Sequence, residues 1–322
     1  MKRRCALLLL VVLLLALAGC RSSSEPEKVT IAMGFIPNVQ FTPFYVALEK
    51  GYFAEQGLDV ALDYGMETDL LQRLGTGDIE LAIGSGDQVA VARAAGIPAT
   101  MVASYYQRFP VCVVSLKDSG IDTPEDLVGK TVGIPVLEGA SYIGWQAFTH
   151  EVGLAAEQVN LQAIGYTQVA SLTEGRVDAA VSYAMNEPVQ LAQAGYDAQV
   201  FSLDAYTRLV SNGLITSDKV IASKPELLQG VVAGFLKGLD DTLADPEAAF
   251  AITRKYIPEM DDNNAPLQRA VLDACLPYWR TDSPGYNSPE AWQETVELLQ
   301  QLDLITTDVD ASSMYSNQFV TP

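Results

Sequence analysis

Along the chain, short runs of apolar, β-branched residues alternate with longer stretches in which apolar positions recur at helical spacing. Val29-Thr30-Ile31-Ala32-Met33 reads as a strand, and Gly34 to Phe41 as a loop. Thr42-Pro43 then opens a helix, with Thr as the N-cap and Pro at the first helical position. That helix runs through Ala47 and Glu49 to a stop at Gly51. A strand over Val60 to Tyr64, a helix over Asp69 to Gly75 and a strand over Ile79 to Ile83 follow, the last running into Gly84-Ser85-Gly86-Asp87. The order βαβαβ predicts a parallel sheet.

The same rhythm returns in a strand at Lys130 to Ile134, a helix from about Tyr142 to Glu151 and a strand near Val159 to Ile164. Gly77-Asp78-Ile79-Glu80-Leu81-Ala82-Ile83-Gly84 aligns with Gly175-Arg176-Val177-Asp178-Ala179-Ala180-Val181-Ser182, an offset of 98 residues (175 − 77). So long a period fits two duplicated α/β lobes rather than a solenoid. From about Ser223 the pattern is helical: Pro225 to Leu243, a helix begun by Asp245-Pro246-Glu247, and Pro289 to Leu302 with Trp292 on its apolar face. Lacking strand partners, these helices are expected to pack on the first lobe. The chain then crosses between lobes twice, near Ser104 to Val111 and Tyr206 to Leu214, giving lobe 1 as 29–107 plus 212–322 and lobe 2 as 108–211.

The first twenty residues follow another logic. Lys2, Arg3 and Arg4 precede an apolar run from about Ala6 to Ala18, too short for a comfortable membrane span, and then Leu17-Ala18-Gly19-Cys20. Residues 1–19 are therefore expected to be a signal peptide. Leu-Ala-Gly-Cys resembles the bacterial lipobox, which implies a diacylglyceryl group on Cys20, with 20–28 forming the lipidated Cys and a polar tether. The expected location is the extracytoplasmic face of the cell membrane. Removal of three basic residues takes the net charge from −20 to −23, a field that argues against nucleic acid as a partner. With 49% apolar and 19% charged residues the whole chain has the balance of a globular protein.

Catalytic chemistry has few candidates. His150 is the sole histidine and sits late in a helix, where a cation meets the negative end of the dipole, so no two-histidine metal site exists. Cys112 lies in a buried-strand pattern, and whether it pairs with Cys275 is open. Gly84-Ser85-Gly86-Asp87 lacks the pattern of a nucleophile elbow or a phosphate loop. No catalytic residue, metal or cofactor is expected.

In open α/β sheets, ligands bind beyond the carboxyl ends of the strands. The loops predicted there carry Asn38, Gln40, Phe41, Ser85, Gly86, Tyr105, Tyr106, Gln107, Ser141, Tyr142, Tyr183, Asn186 and Glu187, together with Phe35, Phe109 and Tyr166. Rings that can stack on a flat heterocycle, beside amides and a carboxylate that can pair with its edge, suit an aromatic ligand. Tyr105-Tyr106-Gln107 at the first crossing is the leading stacking candidate, with packing on the crossing strands as its competitor. For Asn186, capping of a helix with Pro188 in its first turn is the competing role.

Pro43-Phe44-Tyr45-Val46-Ala47-Leu48-Glu49-Lys50-Gly51-Tyr52-Phe53, Gly57-Leu58-Asp59-Val60, Thr123-Pro124-Glu125-Asp126-Leu127-Val128-Gly129-Lys130 and the two repeat segments resemble the thiamine-pyrimidine-synthase-like (NMT1/THI5-like) group of type II periplasmic binding proteins. The resemblance implies an α/β, two-lobed clamshell, each lobe a mixed, mostly parallel sheet flanked by helices. It implies a monomeric substrate-binding lipoprotein that serves an ABC permease. Glu138-Gly139-Ala140-Ser141-Tyr142-Ile143-Gly144-Trp145-Gln146-Ala147 resembles the riboflavin-binding lipoproteins of that group, and the loop aromatics suit a three-ring flavin. A thiamine pyrimidine precursor is the alternative ligand, then a small sulfonate such as taurine, disfavoured because Arg108 is the sole cation of these loops. The group also includes pyrimidine synthases, whose cysteine-rich run is missing here.

Overall fold

The computed structural model describes residues 25–320, so the predicted signal peptide and Cys20 lie outside the described residues. Ten strands form two five-stranded sheets among these residues: β1 (Glu27–Met33), β2 (Leu58–Tyr64), β3 (Leu81–Ser85), β4 (Ala99–Ser104), β5 (Val111–Leu116), β6 (Thr131–Ile134), β7 (Asn160–Ala163), β8 (Ala179–Tyr183), β9 (Ala198–Ser202) and β10 (Asn212–Ser217). Their orders, β2-β1-β3-β10-β4 and β7-β6-β8-β5-β9, repeat one another. The third strands, β3 and β8, begin 98 residues apart (179 − 81), the offset read in the sequence.

Each sheet holds one strand that runs against its neighbours, β10 in the first and β5 in the second. Both follow a crossing: the chain leaves the first sheet after β4 and returns to it at β10. A strand entering from the far side meets the sheet from its opposite end, and the antiparallel ladder results. The fold is therefore an α/β, two-lobed one with mixed sheets.

The helices are α1 (Thr42–Glu49), α2 (Glu67–Thr76), α3 (Gly86–Ala94), α4 (Gly139–Glu151), α5 (Gln168–Thr173), α6 (Glu187–Gln193), α7 (Asp218–Ser223), α8 (Pro225–Ala244), α9 (Pro246–Thr253), α10 (Ala265–Trp279) and α11 (Pro289–Gln301). As expected from their pattern, the C-terminal helices pack on the first sheet: Leu228, Phe235 and Leu239 of α8 join Phe44 of α1 and Ile31 and Met33 of β1 in one core. Trp292 and Leu299 of α11 join Val89 of α3 in another, which continues into Val113 and Phe148 of the second lobe. None of the described helices is long and apolar enough to cross a membrane.

Local readings shift in three places. Phe41, not Thr42, is the N-cap of α1; Thr42 is buried in the first turn, donating to the Val39 carbonyl at 2.7 Å and bonding Thr253 at 2.8 Å. The strand expected over Ile79 to Ile83 runs from Leu81 to Ser85, so Gly84 and Ser85 belong to the sheet. Helix α10, with Pro277 near its end, had no clear signal in the sequence. Cys112 and Cys275 are both buried free thiols, which closes the disulfide question.

Candidate ligand-binding cleft

Between the carboxyl ends of the two sheets lies a cavity of about 220 Å³, below the roughly 300–1,000 Å³ usual for small-molecule sites. Residues from both lobes line it, and α2, α4, α5 and α6 each begin at a lining residue: Glu67, Gly139, Gln168 and Glu187. Asn38, Gln40, Phe41, Tyr105, Tyr106, Ser141, Tyr183, Asn186 and Glu187 line it, as do Phe35 and Tyr166. Ser85, Gly86, Gln107 and Tyr142 do not.

Each of those four has a structural employment. The Ser85 hydroxyl donates to Glu67 Oε1 at 2.8 Å and its amide bonds the same oxygen. A Cβ on Gly86 would stand 2.3 Å from Val210 Cγ1 and 3.1 Å from Trp292, so the glycine admits core side chains rather than a ligand. Gln107 donates its backbone N–H to the Tyr278 carbonyl at 2.7 Å, fastening the crossing to α10, while its side-chain Nε2 is buried without a partner among the described residues. Tyr142 packs against the core shared by the lobes and accepts from Gln146 Nε2 at 3.1 Å.

Tyr105 lines the cavity, but its ring is taken. Trp279 stacks on it at 5.3 Å, Phe44, Phe235 and Tyr106 meet it edge-on, and its hydroxyl donates to the Gln40 carbonyl. Tyr106 lies between Tyr105, Tyr278 and Trp279, its hydroxyl 3.3 Å from Gln40 Oε1. The pair thus forms a rigid wall that positions Gln40, and neither ring is free to move onto a ligand. Rings with open surface are Phe35 and the exposed Tyr166, which face each other across the lobes with centroids 5.5 Å apart. The Tyr166 hydroxyl reaches Met66 Sδ at 3.8 Å.

The lining residues that sequence reasoning passed over include Glu67, Gln88, Gln168, Ser182 and Asn212. Glu67 sits at the start of α2 and reaches the end of β3 because Gly84 has no side chain; a Cβ there would stand 2.9 Å from Glu67 Oε1. The end of β3, at Gly84 and Ser85, thus holds the protein's own carboxylate. Glu187 is held in the same way at the end of β8: Tyr183 N donates to Oε2 at 2.9 Å and Asn186 Nδ2 to Oε1 at 3.0 Å. Asn186 is the N-cap residue of α6, but it makes no side-chain capping bond and instead accepts from Gln190 Nε2 at 3.0 Å.

Electrostatically the cleft is acidic. Among the described residues its charged lining residues are Glu67, Glu138 and Glu187, and no Lys, Arg or His lines it. Arg108 instead pairs with Asp204 at 3.3 Å and lies over the Tyr278 ring. Burial raises the carboxyls of Glu67 and Glu187, and their amide and side-chain donors pull back only in part. Asp87, in the first turn of α3, is wholly buried. Burial first and the charge of Glu67 second push its carboxyl up to about 8; Ser85 and the amides of Asp87 and Gln88 oppose this. Neither of its oxygens makes a hydrogen bond of ordinary geometry among the described residues. Tyr183 is held well above the usual phenol range by burial and by the charges of Glu67 and Asp87. Its hydroxyl stays a donor at neutral pH.

Against known proteins, the NMT1/THI5-like family matches residues 38–249. "Riboflavin-binding protein RibY" of Chloroflexus aurantiacus is 38% identical over 302 residues, covering 91% of this chain and 86% of that protein. The "formylaminopyrimidine-binding protein" of Halalkalibacterium halodurans is 30% identical over 96% of this chain and 97% of its own. Among solved structures, the periplasmic aliphatic sulphonate binding protein SsuA of Escherichia coli superposes with a TM-score of 0.72 at 18% identity, over 90% of this chain and 97% of that one. The last likeness concerns the fold.

Proposed function

The chain belongs to the NMT1/THI5-like family, and from that premise we propose that it is the extracytoplasmic substrate-binding lipoprotein of an ABC importer, with riboflavin as its ligand. The observation that carries the ligand is the 38% identity, across nine-tenths of the chain, to a protein named for binding riboflavin. The cavity supports it: six aromatic rings, three carboxylates and several amides suit a flat heterocycle with hydrogen-bond donors at its edge. In this reading the cleft, with Asn38, Gln40, Phe41, Ser141, Tyr183, Asn186 and Glu187 as contacts and Tyr105 and Tyr106 as its wall, captures the vitamin. The second lobe, 108–211, closes on the first, 29–107 plus 212–322, and the closed monomer docks on a permease. The lipid on Cys20 holds it at the membrane, and the cleft binds without turnover.

A thiamine pyrimidine precursor is the second reading, favoured by the 30% identity to a formylaminopyrimidine-binding protein. Titrating the protein into nanomolar riboflavin separates the two. Saturable quenching of flavin fluorescence supports the first; no quenching, with thermal stabilisation by the pyrimidine, replaces it with the second.

A further inference from the structure

The two lobes present a carboxylate to the cleft in the same way. Glu67 is bound by the amide of Ser85, the last residue of β3, and Glu187 by the amide of Tyr183, the last residue of β8. These two residues are related by the 98-residue repeat (183 − 85). Glu67 takes both Ser85 donors on one oxygen, Oε1, and the Gln88 side chain stands beside its carboxyl as a further donor. Three helix N-termini at the cleft already carry an acid: Glu67 lies in the first turn of α2 and Glu187 in that of α6, while Glu138 precedes α4. Two start there without an acid: α5, six residues long, and α1, whose N-cap Phe41 lines the cavity and whose second residue, Pro43, has no N–H to offer. No cation among the described residues lines the cavity. An anion drawn into it leaves water, meets carboxylates from both sides and finds no counter-charge.

We propose that Glu67 and Glu187, one from each lobe, form a two-sided carboxylate clamp that admits an uncharged ligand through its N–H and O–H donors and rejects the phosphate ester or sulfonate of the same ligand. The clamp makes Glu67 a specificity-determining residue. It also has a consequence for supply: the reaction that provides the ligand must deliver it dephosphorylated, and phosphorylation after uptake would prevent rebinding. The inference rests on the vitamin-capture reading above.

The test measures affinities of the full chain, purified in detergent and stripped of bound ligand, for two matched pairs: riboflavin and riboflavin 5′-phosphate, and hydroxymethylpyrimidine and its phosphate. The expected result is a preference of at least about 100-fold for the neutral member of the pair that binds, some 2.7 kcal/mol. In Glu67→Gln the neutral ligand should weaken by roughly 10-fold while the preference narrows by a similar factor. Glu80→Gln, whose carboxylate pairs with Lys224 away from the cleft, should leave both unchanged. If Glu67→Gln does not fold, the wild-type ratio decides alone. Equal affinity for the two members of a pair overturns the clamp and leaves vitamin capture standing. No binding of any of the four removes the vitamin reading, and the clamp with it.

Discussion

Asp87→Asn isolates one buried charge beneath the cleft. Burial and the adjacent Glu67 push its carboxyl up to about 8 in the folded chain, from an ordinary 3.8. A raised acid stabilises the fold fully below its unfolded pKa, and that contribution is lost as pH rises through the folded value. Between these limits folding takes up a proton, so about 1.4 kcal/mol is lost per pH unit. At pH 7, roughly three units above the unfolded value, the accumulated loss is about 4 kcal/mol. Asparagine keeps the shape, has no proton to take up, and supplies an amide donor towards Glu67. The variant should therefore be more stable at pH 7 by about 1–4 kcal/mol, the lower end allowing for a denatured state that is itself compact. Urea denaturation of both proteins from pH 4 to 9 measures this. The general repulsion of a net charge of −20 is shared by both and largely cancels in the difference. The gap should widen with pH up to about 8 and then level off. A pH-independent difference would refute the reasoning, because it would mean that Asp87 ionises alike in folded and unfolded chains.

Tyr105→Ala should cost about 3–5 kcal/mol of stability, as expected for emptying an aromatic site in a packed core, because Trp279, Phe44 and Phe235 lose their common partner; chemical denaturation measures it, and a loss in affinity with no loss of stability would contradict the wall role. Tyr166→Ala, at a residue 54% exposed, should change stability by less than about 1 kcal/mol yet speed ligand release, because the Phe35–Tyr166 contact across the mouth is lost; stopped-flow fluorescence reads the rate. Gly86→Ala should destabilise the first lobe through its clash with Val210, which a melting curve shows without ligand. A thiol reagent at pH 8 should leave Cys112 and Cys275 unmodified until denaturant is added, since both are buried and burial raises both thiols.

Most strands and helices were legible because their signals are local: alternation at Val29 to Met33, helical spacing over Pro225 to Leu243, and turn chemistry between them. The 98-residue repeat revealed duplicated lobes, and the rule that ligands gather at strand carboxyl ends placed nine of the thirteen predicted ligand residues on the cavity wall. Glu67 was not legible. Its direction depends on the missing side chain of Gly84 and the amide of Ser85, seventeen and eighteen residues further on (84 − 67 and 85 − 67), which only the packed sheet brings beside it. Tyr105 looked like a free aromatic at a crossing until Trp279, far along the chain, covered it. Propensity and periodicity act over a few residues, so the segments that form strands and helices, and the loops that gather at the sheet ends, are written locally in the chain. Which ring is covered, which carboxylate is desolvated and which glycine makes room were decided by tertiary structure alone, because burial depends on partners drawn from the whole chain.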